Sequence, residues 1–212
     1  MAYNFVRDSS QSISSSGLDI SVYPVTLSAW AYANSDTIAM TIVAWLQAAT
    51  NQSFRIIFQG ATLGDPVRFN LVNILPAVSF SDKASPGFTI NTWHHVCWVC
   101  TSSTLREVYV DAVAGASNTA NSTPTNLTRV TIGSQATSQY FTGNISDVAI
   151  WSAALNTGEI NSLAKGFSAK KIRPQSLEYY VPLVRNLYEY KNKPTLTNNN
   201  SATVATHNRI YS

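Results

Sequence analysis

An all-β fold, an antiparallel two-sheet sandwich with one short helix, is predicted by three features of this 212-residue chain. Apolar and polar residues alternate over short runs, which is the period of strands with one buried face. Eight Pro and nine Gly break the chain into such runs, and no long stretch has helical periodicity. Asn156 followed by Glu159 forms a capping box that opens a helix near 156–165, and Gly166 stands where a C-terminal cap belongs.

Taken in order, residues 1–24 are polar and serine-rich, and the alternation of Leu18, Ile20 and Val22 predicts a first strand ending at Pro24. In VTLSAWAY, Val25, Leu27 and Ala29 share one face while Thr26, Ser28 and Trp30 share the other. Thr41–Leu46, Phe54–Phe58 and Val67–Leu71 read as a meander with a turn over Gly60–Pro66, one face dry and the other wet. Asn91–Val110 holds a strand beginning at Trp93 and a hairpin reaching Asp111. Val130/Ile132 and Ile145/Val148/Ile150/Trp151 are two further alternating runs, joined by a polar connection between Gly133 and Gly143. Leu177/Tyr179/Val181 and the stretch from Val204 to Tyr211 carry enough apolar residues for additional strands, with a turn at Asn198–Asn200.

Three of these stretches together resemble the laminin-G-like jelly roll of the concanavalin A-like lectin and glucanase superfamily. They are VTLSAWAY at 25–32, Trp93-His94-His95-Val96 with Tyr109-Val110-Asp111, and the strand, loop, strand, short helix order of Val130–Leu155. The resemblance spans roughly Val25 to Gly166 and extends to members encoded by tailed phages. The length of the chain suits a single sandwich domain over 1–212, in which 167–212, beyond the shared motifs, closes the sandwich and its unpaired edge or forms a docking arm. The family's turn glycine is Ala112 here, which predicts a different turn geometry, because a β-carbon resists the left-handed backbone.

Hydrophobic residues make up 45% of the chain and charged residues 12%, enough apolar material for a full core under a Ser/Thr/Asn-rich surface. The formal charge of +3 is concentrated late in the sequence, where residues 168–212 hold seven Lys/Arg against Glu178 and Glu189. Such an edge suits docking on an acidic surface, or is simply solvated. Charges are too few, and recognition motifs absent, for a nucleic-acid binder. No apolar run is long enough to span a membrane, and the first residues lack the features of a secretion signal, which predicts synthesis in the host cytoplasm.

Cys97 and Cys100 form a C-x-x-C, but residues three apart on a strand face opposite ways, which predicts buried free thiols. His94 and His95 likewise diverge, one packed and one exposed, in structural roles. Glycoside hydrolysis needs two carboxylates flanking the scissile bond, whereas these eleven acids are dispersed, so no catalytic residues and no enzyme activity are expected. The stretch in which the pentraxin branch places calcium ligands corresponds to Gly133–Tyr140, which contains no acid. Asp65 and Asp111 are isolated turn acids, and Asp147 reads as structural. The expectation is therefore no metal and no cofactor. Tyr140, Trp45 and Tyr32, with neighbouring amides, are the candidate sugar-stacking rings, set against the tendency of Trp in a sandwich to anchor the core. Lys170, Lys171, Arg173 and Arg185 are the candidate partner-docking residues.

Two functions are expected from this reading. The first is a non-enzymatic virion surface protein, a phage capsid decoration or fibre-type protein that docks on other virion proteins and self-associates, for instance as a trimer. The second is a carbohydrate-binding lectin, free or particle-borne, that grips host-surface glycan.

Overall fold

The structure, a computed structural model, describes residues 1–47, 49–50, 52–74, 77–84, 87–185, 187–191 and 195–207, with backbone only at 74 and 77–84. Along the chain, β1 (Ala2–Phe5) and β2 (Ser12–Ser16) precede β3 (Val25–Ala33). A meander follows, made of β4 (Ala39–Leu46), β5 (Ser53–Gln59), β6 (Val67–Ile74) and β7 (Ala77–Ala84). Then come β8 (Trp93–Ser102), β9 (Leu105–Val110), β10 (Val113–Asn118), β11 (Arg129–Ile132), β12 (Gly143–Trp151) and helix α1 (Thr157–Ala164). Three further strands are β13 (Leu177–Val181), β14 (Leu196–Asn199) and β15 (Thr203–Ala205).

The strands form two antiparallel sheets. The first runs β10-β9-β8-β3-β12-β1-β15, with β13 also paired to β12, and the second runs β14-β2-β11-β4-β5-β6-β7. Their facing sides bury the main core, in which Phe54 lies between Trp45 at 5.7 Å and Trp98 at 5.1 Å. A second, smaller core lies on the other side of the first sheet, where Ile160 and Leu163 of α1 cover Cys97, Val99, Ala149 and Trp151. The expected capping box closes the start of α1: the Glu159 N–H donates to Asn156 Oδ1 at 3.0 Å, and the Asn156 N–H to Glu159 Oε2 at 2.7 Å. At the other end Gly166, at φ 88°, lets its own N–H and that of Phe167 reach the carbonyls of Leu163 and Ser162.

Strand β12 organises the first sheet. Along one edge it pairs with β3 over its length; along the other it pairs with β1 at Gly143–Ile145 and with β13 at Val148–Trp151. The handover is a bulge at Ser146–Asp147, where Asp147 takes a left-handed φ of 47°. Residues 177–205 thus supply strands to both sheets, β13 and β15 to the first and β14 to the second. The expected apolar pair Ile210/Tyr211 lies outside the described residues.

Three expectations need correction. No strand runs over Leu18–Pro24. Leu18 is buried and Ile20 and Val22 pack against the core from a loop, because the backbone of Gly17 and Leu18 bonds to the Thr128 carbonyl and leaves the ladder there. The early strands are instead β1 and the serine strand β2. The second correction is at Asp111 and Ala112, both left-handed at φ 51° and 65°, so the two-residue hairpin keeps the geometry that glycine would favour. Strand twist demands that turn, and the Asp111 carboxylate fastens it by accepting from the His95 N–H and the His94 ring, both at 2.7 Å. The third is the supposedly wet face of the second sheet, on which Thr41, Ala44, Ser53, Ile57 and Thr131 are almost inaccessible. The connection after β11 folds over part of it: the Thr41 hydroxyl donates to Gln139 Oε1 at 3.1 Å, and the Thr131 hydroxyl to the Ser134 carbonyl at 2.8 Å.

Candidate functional site

Alternation along β3 sends Ala29, Ala31 and Ala33 into the core and Ser28, Trp30 and Tyr32 to the outer side of the first sheet. On β8 the same rule sends His94, Val96 and Trp98 inward, and Trp93, His95 and Cys97 outward. The register places Trp30 opposite His95 and Tyr32 opposite Trp93. Helix α1 covers only the far end of this outer side, over Cys97 and Ala149. At the near end the rings of Trp30, Tyr32 and Trp93 stay partly exposed.

The rings form one connected group. Tyr32 and Trp93 are 5.6 Å apart with planes tilted by 54°, and Trp30 lies 5.4 Å from His95. His207, just beyond β15, packs on Trp93 at 4.1 Å and reaches Trp30 at 5.8 Å. Across the sheet the row continues: Trp93 faces Tyr32, Tyr32 faces Asn144 on β12, and Asn144 faces Asn4 on β1. Directly opposed residues of an antiparallel ladder share a face, so two rings and two amides stand side by side. Asn4 Nδ2 donates to Asn144 Oδ1 at 2.9 Å and to the Gly143 carbonyl at 3.4 Å. The close approach of β12 to β3 that builds this row requires Gly143, because a β-carbon there would fall 2.0 Å from the Tyr32 carbonyl oxygen.

Beneath the rings His95 is fully buried, and its Nδ1 has no hydrogen-bond partner among the described residues. His95 Nε2 meets the Ser28 hydroxyl at 2.8 Å, and full burial pushes the imidazole down to about 4, so that it is neutral near pH 7. Asp111 does not complete a Ser-His-Asp triad. Its carboxylate binds the backbone N–H of His95 and the ring of the adjacent His94. The Thr89 N–H donates to His94 Nε2 at 2.9 Å, so His94 carries its proton on Nδ1, toward Asp111. Both histidines are buried, so the expectation that one would be exposed fails, whereas their packing roles agree with it. In the bulge of β12, Asp147 accepts from the Tyr180 hydroxyl at 2.5 Å and from Ser146 at 2.6 Å, and burial pushes its carboxyl up to about 6. Cys97 and Cys100 are buried, are not joined by a disulfide, and lie in the two different cores.

Of the rings expected from the sequence, only Tyr32 joins this group. Trp45 is fully buried in the main core, with its indole N–H donated to the Leu127 carbonyl at 2.8 Å, which removes it as a sugar-stacking residue. Tyr140 is partly exposed on the connection between β11 and β12 and is not one of the residues paired in the transverse row. The sequence reading missed Trp30, Trp93, Asn4 and Asn144. Its own alternation held a usable signal, since Trp30 and Tyr32 lie two apart on the face opposite Leu27 and Ala29.

The basic residues divide. Lys170 and Lys171 share a 3-10 turn, and Arg173 just after it donates to Glu159 Oε1 at 2.5 Å and to the Ala154 carbonyl at 3.0 Å, tying that turn to α1. Arg185 is exposed beyond the opposite end of β13. The four therefore do not form one patch. Among the described residues no three His, Cys, Asp or Glu side chains converge as a metal site. Asp36 and Asp65 line an open recess of about 580 Å³ between the loops at 36–37 and 60–65. Among the described residues no helix is long and apolar enough to cross a membrane.

A sequence profile described as the concanavalin A-like lectin/glucanases superfamily matches residues 7–161. No curated protein matches the chain. Among solved structures, the fold is similar to the native heptameric SAP-like pentraxin of Limulus polyphemus, at 12% identity and TM-score 0.68, covering 96% of this chain and 94% of that one. It is also similar to a candidate carbohydrate-binding protein from Bacteroides ovatus ATCC 8483, at 14% identity and TM-score 0.66, covering 95% of this chain. This chain spans 60% of that protein's length. The CBM40 of Ruminococcus gnavus IT-sialidase, bound to α2,3 sialyllactose, aligns at 11% identity and TM-score 0.55, covering 77% of this chain and 92% of that one. At these identities the likeness establishes the jelly-roll fold.

Proposed function

We propose that this chain, which belongs to the concanavalin A-like lectin/glucanases superfamily, is a non-catalytic carbohydrate-binding module whose ligand lies on the outer side of the first sheet. The observation that carries the reading is the partly exposed Tyr32–Trp93 ring pair with the Asn144–Asn4 amide pair beside it. Ring faces cover the C–H side of a sugar, and amides satisfy its hydroxyls. The lectin-like character of several structural neighbours supports the same reading. A glycan array, run with and without calcium, tests it. Binding that Tyr32→Ala and Trp93→Ala each abolish is the expected result, and binding insensitive to both changes contradicts it.

A second reading, docking on a protein partner such as a virion component, rests on a separate surface. Phe167, Tyr188 and Tyr190 are each close to half exposed, and Lys170 and Lys171 lie in the segment that directly follows Phe167. Exposed aromatics edged by basic side chains suit a protein interface. In that setting the module would be carried on a virus particle as an adhesin. Quantitative mass spectrometry of purified particles should then find it in fixed ratio to the capsid subunit, and its absence from particles would rule this setting out.

A further inference from the structure

We infer that the ligand is a neutral, soluble oligosaccharide of at least two units that runs across the strands, with one unit on the rings and the next on the amides. This deepens the carbohydrate-binding reading above and rests on it.

The length follows from the register. Trp93, Tyr32, Asn144 and Asn4 occupy four adjacent strands, β8, β3, β12 and β1. Neighbouring strands lie about 4.8 Å apart, so the middle of the ring pair and the middle of the amide pair are separated by roughly 10 Å. At about 1.5 Å per bond, a single pyranose with its hydroxyls is roughly half that across. One sugar therefore cannot occupy both pairs, whereas two linked sugars can.

The polarity follows from the hydrogen bonds already made. Asn4 commits its amide N–H groups to Asn144 Oδ1 and the Gly143 carbonyl. Among the described residues, that leaves the Asn144 amide N–H groups as donors and Asn4 Oδ1 as an acceptor with no protein partner. A donor beside an acceptor matches vicinal hydroxyls, each of which can both give and take a proton. A carboxylate-bearing sugar would call for a guanidinium or ammonium partner, yet the row consists of two rings and two amides. The negative faces of the rings disfavour an anion further.

The 54° tilt between Tyr32 and Trp93 sets the remaining feature. Two inclined rings cannot both lie flat on a planar crystalline polysaccharide, but they can hold one residue of a free chain in the angle between them.

The test is isothermal titration of the whole chain with defined gluco-, manno-, galacto-, xylo- and arabino-oligosaccharides of one to four units, together with sialyl- and uronate-bearing counterparts. The expected result is that at least one neutral series gains about three- to tenfold in affinity from one unit to two, as one or two net hydrogen bonds would give. Asn144→Ala and Asn144→Asp should both erase that gain, with circular dichroism confirming the fold, and the aspartate variant separates loss of donors from loss of volume. Equal affinity for one and two units, an undiminished gain in both variants, or preference for the acidic sugars would overturn the inference while leaving carbohydrate binding in place. Silence across the whole panel and the array would overturn both.

Discussion

Tyr180 donates its hydroxyl proton to Asp147 across 2.5 Å, at the bulge where β12 passes its edge from β1 to β13. Burial is the main reason that the Asp147 carboxyl is pushed from 3.8 up to about 6, the hydrogen bonds from Ser146 and Tyr180 offsetting only part of it. The protonated form is therefore favoured in the folded state. Its contribution is complete below the unfolded value and is lost as pH rises through about 6. A displacement of that size corresponds to about 3 kcal/mol. Asp147→Asn keeps an acceptor for Tyr180, so it should match the parent near pH 4 and be more stable by up to that amount at pH 8. Urea unfolding at the two pH values checks this, and a stability difference that does not change with pH would refute it.

His95 has the opposite sign. Its imidazole is pushed from 6.5 down to about 4 by burial beneath Trp30, so its contribution is present above pH 6.5 and lost as pH falls through about 4. Between pH 4 and 6 the losses at His95, and at His207, which burial also pushes down to about 4, together outweigh the gain at Asp147, so the parent's stability should fall on acidification. In the Asp147→Asn background that gain is gone. Thermal unfolding should then show a steeper fall in Tm on acidification than the parent's, and His95→Gln should lessen it; an unchanged slope in either variant would refute this.

The two tryptophans of the main core differ in one bond. Both are fully buried, but Trp45 donates its indole N–H to Leu127, whereas the Trp98 indole N–H has no partner among the described residues. Replacement by Phe costs packing at either site, and at position 45 it also strands a buried carbonyl. Trp45→Phe should therefore be the more destabilising change by about 1 kcal/mol in chemical denaturation. Equal losses would show that the Leu127 carbonyl finds another donor.

Ala112 sits at φ 65°, a conformation in which its β-carbon is unfavourable. Ala112→Gly should stabilise the chain by about 1 kcal/mol, the relief of left-handed strain outweighing the greater freedom of the unfolded chain. A destabilised variant would mean that the turn is held by its flanks rather than by its own geometry.

What could be read in advance depended on whether a signal was local. Val25–Tyr32, Trp93–Val96 and the Asn156/Glu159 cap carry their structure in adjacent residues, and each took the expected form. The strand Ser12–Ser16 has no apolar alternation to announce it. It exists because Ile13 faces the core while β11 and β14, both far away in sequence, supply its ladders. The site was legible only in part for the same reason. Tyr32 and Trp45 look alike in sequence, and only the assembled sheets show that one ring faces outward and the other is enclosed. Asn4 and Asn144 are separated by 140 positions and meet through strand pairing alone.

The measurement that bears most directly on the carbohydrate-binding claim is a glycan array of the parent chain beside Tyr32→Ala and Trp93→Ala, with all three first shown to be folded. A glycan signal in the parent that is lost in both variants is the predicted result. A signal that survives in both, or no glycan signal in the folded parent, would contradict it.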